Sequence, residues 1–166
     1  MCMEIRAVCT DDDRSALSRI YEESWKSAYR GIIPQSYLDS IAPGLWIPNF
    51  DRVGLYSLVL IENGSFIGSA SYCPSRFDKY KGFGEIVSIY LLPEYMGRGF
   101  GKPLLDAAMA ALAGMGFQDL FLWVLEENFR ARRFYEKAGF SPSGDYLEDN
   151  IGGKALRELQ YCYHME

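Results

Sequence analysis

The sequence predicts one mixed α/β domain, and three observations carry that prediction. Two apolar runs, Leu55–Glu62 and Ser65–Cys73, meet at Asn63-Gly64, the strongest short signal for a tight antiparallel hairpin. Downstream, strand-like and helix-like segments alternate: Phe83–Leu92, a helix from about Gly99 to Ala113, Leu120–Leu125, and a helix from Asn128 to Ala138. The run Leu120–Leu125 is apolar on both faces, as a covered central strand must be. A hairpin joined to alternating strands and helices makes one sheet with helices on its faces.

Each element has a local reason. Glu4–Val8 alternates like a short first strand. Thr10 and Asp11–Asp13 offer N-cap chemistry for a helix to about Tyr29, in which Ala16, Leu17, Ile20, Ser24 and Ala28 recur at helical spacing. Gly31 stops that helix, and Pro34 starts a short one over Gln35–Ile41. Ala42–Gly54, with two prolines and two glycines, is irregular, and Pro74–Gly82 is a polar loop. Pro93 ends the strand Phe83–Leu92, and the helix after it carries Leu105, Ala108, Met109 and Leu112 on one stripe. Gly139 closes the helix capped by Asn128, and the remainder, through Leu156–His164, is strand-like. With no repeat and no linker, residues 1–166 read as a single domain.

Composition removes several classes of function. Cys2, Cys9, Cys73 and Cys162 are scattered, and His164 is the one histidine, so neither a zinc site nor a disulfide framework is expected. Met1–Arg6 alternates like a strand, and no apolar run reaches membrane-spanning length, so the expectation is a cytoplasmic protein with no membrane partner. A net charge of −5 without a basic block argues against nucleic acid and suits a cationic substrate, although scattered surface carboxylates give the same total.

The segment Gly97-Arg98-Gly99-Phe100-Gly101-Lys102 joins an apolar strand to a helix. Glycines at alternate positions leave backbone N–H groups uncovered where a helix begins, and such a turn suits an anion. Pro103 fits the first helical turn, where its missing N–H has no partner to lose. Two rival phosphate motifs fail: Pro103 stands where a P-loop needs Ser or Thr, and Leu104 where a dinucleotide fingerprint needs a third small residue.

This turn resembles the core motif of the GCN5-related N-acetyltransferase (GNAT) superfamily, Gln/Arg-x-x-Gly-x-Gly/Ala, with Met96 in place of the first residue. The stretch Leu122–Phe140 is similar to the family's second signature: an apolar strand, then Asn128, then a helix bearing Phe134-Tyr135 and ending Gly139-Phe140. The resemblance implies a mixed, mostly antiparallel sheet of six to seven strands, helices on both faces and a splayed pair of central strands. It also implies acetyl-coenzyme A as cosubstrate without a metal. The pyrophosphate would lie on the N–H groups of Gly97, Arg98, Gly99, Phe100, Gly101 and Lys102, and the pantetheine arm along the backbone of Ile89, Tyr90 and Leu91.

In the same resemblance Asn128 hydrogen-bonds the pantetheine, Tyr135 protonates the departing thiolate, and the N–H of Leu91 holds the oxyanion. From the residues alone, Asn128 is also a plain N-cap and Tyr135 an amphipathic core tyrosine. Glu85, eleven residues before Met96, takes the place of the base in the histone-acetylating branch, or else is a strand-end carboxylate facing solvent. Cys73 lacks a nearby histidine to make it a nucleophile. The resemblance puts the acceptor against the N-terminal helical region and the Pro74–Gly82 loop. There Trp25, Tyr29 and Tyr37 serve recognition or packing, and Glu22 and Glu23 a cationic acceptor or a solvated helix face. The implied reaction is direct acetyl transfer to a small-molecule amine or to a peptide N-terminus or lysine, by a monomer or homodimer. A non-catalytic acyl-coenzyme A sensor, another acyl group and an oxygen acceptor are the alternatives.

Overall fold

The computed structural model describes residues 2–166. Its elements, in order, are β1 (Met3–Ala7), α1 (Arg14–Ala28), α2 (Gln35–Asp39), β2 (Tyr56–Glu62), β3 (Ser65–Pro74), β4 (Gly84–Leu91), α3 (Gly101–Gly114), β5 (Asp119–Leu125), α4 (Phe129–Lys137), β6 (Ser141–Ile151) and β7 (Lys154–His164). The strands form one seven-stranded sheet in the order β1-β2-β3-β4-β5-β7-β6, antiparallel except between β4 and β5. The mixed, mostly antiparallel sheet expected from the sequence is present.

Local chemistry explains the elements that matter for the site. Asn63 (φ 49°) and Gly64 (φ 82°) both take the left-handed backbone that a two-residue hairpin demands. Asp13 caps α1, its carboxylate accepting from the amides of Ser15 and Ala16. Helix α3 begins at Gly101, two residues later than its spacing predicts, because Gly99 has φ 87° and cannot lie in a right-handed helix. The strand-like C-terminal region is a hairpin of two eleven-residue strands, and β7, the later one, lies between β5 and β6.

Helices α1 and α2 cover one face, and α3 and α4 the other. On the first, the Tyr21 hydroxyl bonds Ser71 at 2.8 Å and Ser88 at 3.0 Å, and Leu38 clusters with Leu125 and Leu156. On the second, Leu105, Met109, Leu112 and Tyr135 cluster with Leu120, Leu122 and Tyr161. A bulge in β4 adjusts the faces: Ser71 pairs with Ser88 but Tyr72 with Ile86, leaving Val87 unmatched. The extra residue brings Ser88 and Tyr90 onto the α1 face together with Glu85.

Asp13→Ala removes the α1 cap and is expected to lower stability by about 1 kcal/mol in urea unfolding. An unchanged midpoint would show that the cap contributes nothing to holding α1.

Candidate active site

The site begins where the sheet opens. Strands β4 and β5 pair only at Gly84–Leu120 and Glu85–Phe121. At this vertex the packing is close: a Cβ on Gly84 would lie 3.0 Å from the side chains of Leu112 and Leu120. Past the vertex β4 stays paired with β3, while β5 follows β7. The Leu92 amide donates to Ile67 at 2.8 Å, on the β3 side. Alternate amides of an antiparallel strand point to opposite edges, so those of Leu91 and Ile89 face the gap. This is the splayed pair of central strands.

Beyond β4 the chain makes one tight turn, Pro93–Tyr95, and enters the glycine segment. Gly97 and Gly99 adopt φ of 73° and 87°, and the backbone amides from Gly97 to Lys102 find no backbone or side-chain acceptor among the described residues. Consecutive free donors at the positive end of a helix form an anion cradle. The space for a ligand exists as well, since a Cβ on Gly99 would meet nothing within 4 Å. Gly101 serves packing instead, because a Cβ there would lie 3.1 Å from the Phe134 ring. The Phe100 side chain is buried and leaves only its backbone to the cradle. Arg98 lies over the rings of Tyr95 and Phe100, and Lys102 pairs with Asp106 at 2.9 Å. Arg130, at the start of α4, brings its Nη2 to 3.3 Å from the position of a Cβ on Gly97. Arg130 was not foreseen, for nothing in its sequence neighbourhood says that the first turn of α4 overhangs the turn before α3.

Asn128 is the N-cap of α4, its Oδ1 accepting from the Ala131 amide at 3.2 Å, while its Nδ2 has no acceptor among the described residues. Seven residues on, Tyr135 is buried on the α3–α4 face, between Phe134 and Phe140. Tyr90 and Tyr29 belong to the opposite face. The Tyr90 hydroxyl accepts from Trp25 Nε1 at 3.1 Å and lies 3.3 Å from the Tyr29 hydroxyl. The Tyr135 hydroxyl, although buried, has no hydrogen-bond partner among the described residues. Burial pushes Tyr29 up to about 12 and holds Tyr90 and Tyr135 well above an ordinary phenol, so all three stay protonated.

Two carboxylates differ from their expected settings. Glu85 is on the acceptor face but is neither free nor solvent-facing: it is 1% exposed, and Arg76 donates to both its oxygens, at 3.1 Å from Nε and 2.6 Å from Nη2. The Arg76 amide adds a further bond at 3.1 Å. Glu22 is neither a solvated residue nor a ligand for a cationic acceptor, because it is buried and accepts from Ser18 Oγ and from the Gly44 amide. It ties α1 to the loop after α2. Glu23, by contrast, pairs with Arg19 along the helix surface. Burial pushes Cys73 up to about 11, too high for an activated thiol at neutral pH. Among the described residues there is no metal-binding cluster of acidic, histidine and cysteine side chains, and no helix is long and apolar enough to cross a membrane.

Comparison with known proteins gives a consistent picture. The family model described as "Acetyltransferase (GNAT) family" matches residues 16–140. An uncharacterized N-acetyltransferase of Bacillus subtilis is 32% identical over 152 residues, covering 89% of this chain and 86% of that protein. Spermidine N(1)-acetyltransferase of Thermoplasma acidophilum is 28% identical over 170 residues, covering 97% and 99%. In fold, the chain matches an N-acetyltransferase of Thermoplasma acidophilum, solved in complex with coenzyme A, with a TM-score of 0.73 at 24% identity, covering 98% of this chain and 100% of that one.

Arg76→Met leaves Glu85 buried without its counter-ion and is expected to cost about 2 kcal/mol, less than the roughly 3–5 kcal/mol of a fully buried pair because the Arg76 side chain is itself half-exposed. Adding Glu85→Gln to that variant is expected to recover most of the loss in chemical denaturation. Strictly additive losses would show that the two side chains do not act as a pair.

Proposed function

The chain belongs to the acetyltransferase (GNAT) family, and we propose that it transfers an acetyl group from acetyl-coenzyme A to a primary amine, both substrates being bound together. The observation that carries this proposal is the buried Tyr135 hydroxyl, which has no hydrogen-bond partner among the described residues and sits on α4, the helix that follows β5 from the β4–β5 gap. A module that only held a coenzyme has no use for a buried hydroxyl at that point. The relative named for spermidine supports nitrogen rather than oxygen as the acceptor.

The residues present fit the coenzyme. Free amides from Gly97 to Lys102, with Arg98, Lys102 and Arg130 at the rim, suit a pyrophosphate. The gap-facing amides of Ile89 and Leu91, with the Asn128 amide group, suit the pantetheine arm. That fit is made by backbone, so Met96 in place of Gln or Arg costs one side-chain contact and leaves the cradle whole. Acetyl-coenzyme A supplies a thioester, an acyl carbon open to attack by nitrogen.

The chain's part in the chemistry is charge stabilisation and proton handling. The Leu91 N–H meets negative charge growing on the acyl oxygen. Tyr135, made a weaker acid than a free phenol by burial, donates a hydrogen bond to the leaving sulfur and releases its proton only in concert with loss of the amine's own. With Arg76 holding both Glu85 oxygens, the amine's proton passes to water at the acceptor face. Glu85 thereby fixes the loop that walls this face instead of acting as the base.

Tyr135→Phe is expected to lower kcat about 100-fold while changing coenzyme affinity less than about threefold. Thiol release at saturating amine and calorimetry with coenzyme A measure the two quantities. Unchanged turnover would remove Tyr135 from the mechanism, and a parallel loss of affinity would make it a packing residue.

A further inference from the structure

One carboxylate on the acceptor face has no role in the chemistry just described. Glu158 lies on β7 directly across from Leu125, the last residue of β5. Cross-strand partners share a face, and Leu125 and Leu156 both pack in the cluster that contains Trp25 and Tyr29. Glu158 therefore stands on the same face as the aromatic wall of the acceptor side, and its charge adds to the upward shift of the Tyr29 phenol.

The acidic residues around it are engaged. Glu85 is held by Arg76, Asp145 by Lys79, Glu127 by Lys154, and Glu126 and Glu148 by Arg157. Asp149, which is exposed, accepts from the Asn150 amide. Glu158 is partly buried, yet it has neither an ion pair nor a hydrogen bond among the described residues. Burial raises its pKa, Asp149 adds to that shift and Arg76 opposes it. A partly desolvated carboxylate with no bonded counter-ion, its nearby arginine Arg76 being paired with Glu85, is a site for a cation.

Its position decides which cation. The reacting nitrogen must reach the gap between β4 and β5, where Tyr135 and the Leu91 amide converge. Glu158 is on the far side of β5, about one strand spacing of ~4.8 Å beyond the gap's edge. Leu125 stands between the two places. We propose that Glu158 holds a second positive charge of the acceptor, and that the preferred acceptors are therefore diamines or polyamines. The methylenes joining the two nitrogens lie along Leu125 and the rings of Trp25 and Tyr29. This proposal rests on amine acetylation as the reaction.

The test compares wild type and Glu158→Gln on butane-1,4-diamine and on n-butylamine, with acetyl-coenzyme A as donor. Wild type is expected to favour the diamine in kcat/KM by about 10- to 100-fold, the range of a charge-assisted hydrogen bond. Glu158→Gln is expected to remove that preference through KM, leaving kcat within about twofold and n-butylamine unaffected. Glu158→Lys is expected to turn the preference toward 4-aminobutanoate, and Glu158→Asp to keep the diamine, so the proposal does not depend on one variant folding. A wild type that acetylates both amines equally overturns it and leaves amine acetylation standing. Equal loss of kcat on both amines in Glu158→Gln also overturns it, since Glu158 would then act on the reacting nitrogen. Transfer to neither amine overturns this proposal, and only a further lack of thiol release with peptide N-termini and lysine overturns the amine reaction with it.

Discussion

The parting of β4 from β5 is the constraint on which the rest of this molecule depends. A sheet that opens in its middle leaves amides without partners inside the protein, where each unpaired group is costly. Three features confine that cost. Gly84 lets the strands meet closely at the vertex, where any larger residue would strike Leu112 and Leu120. Strand β3 satisfies one edge of β4, and β7 satisfies the far edge of β5. What stays open is one edge of β4, with the amides of Ile89 and Leu91 directed into the gap, and the edge of β5 that faces it beyond Phe121. That edge is a strand-binding site formed by the topology itself.

The gap also separates two kinds of chemistry and then joins them. On the α3–α4 side the residues are an anion cradle made of backbone, with Arg98, Lys102 and Arg130 around it. On the α1–α2 side they are aromatic rings and carboxylates: Trp25, Tyr29, Tyr90, Glu85 and Glu158. Tyr135 comes from the first side, on the helix that follows β5 from the gap. The bulge at Val87 completes the arrangement by turning Tyr90 onto the α1 face, where Trp25 and Tyr29 hold its hydroxyl. Burial keeps these phenols protonated, so at rest they share hydrogen bonds without carrying charge in a poorly solvated place.

The parts of this design that were legible in the sequence are those set by local rules. Asn63-Gly64 specifies its hairpin through backbone conformation, Asn128 and Gly139 bound α4 through capping, and Gly97 and Gly99 mark the turn through positive φ. Contacts between distant segments were not legible. Arg76 lies in a stretch that reads simply as polar, and only the pairing of Cys73 with Glu85 brings it to that carboxylate. Glu22 sits beside Glu23 in sequence and looks equally solvated, but the loop at Gly44 folds over one of them and not the other. Glu158 gave no signal at all, because its importance comes from the insertion of β7 beside β5, and strand order is not a local property.

The central claim is that the open edge of β4 and the glycine turn bind the coenzyme through backbone amides. Amide hydrogen exchange, with and without coenzyme A, tests it most directly. The account predicts slowed exchange on binding at Ile89, at Leu91 and from Gly97 to Lys102, with the β3-facing amides of Ser88 and Tyr90 little changed. Protection confined to the surface outside β4 and the turn, or none at Leu91, would contradict it.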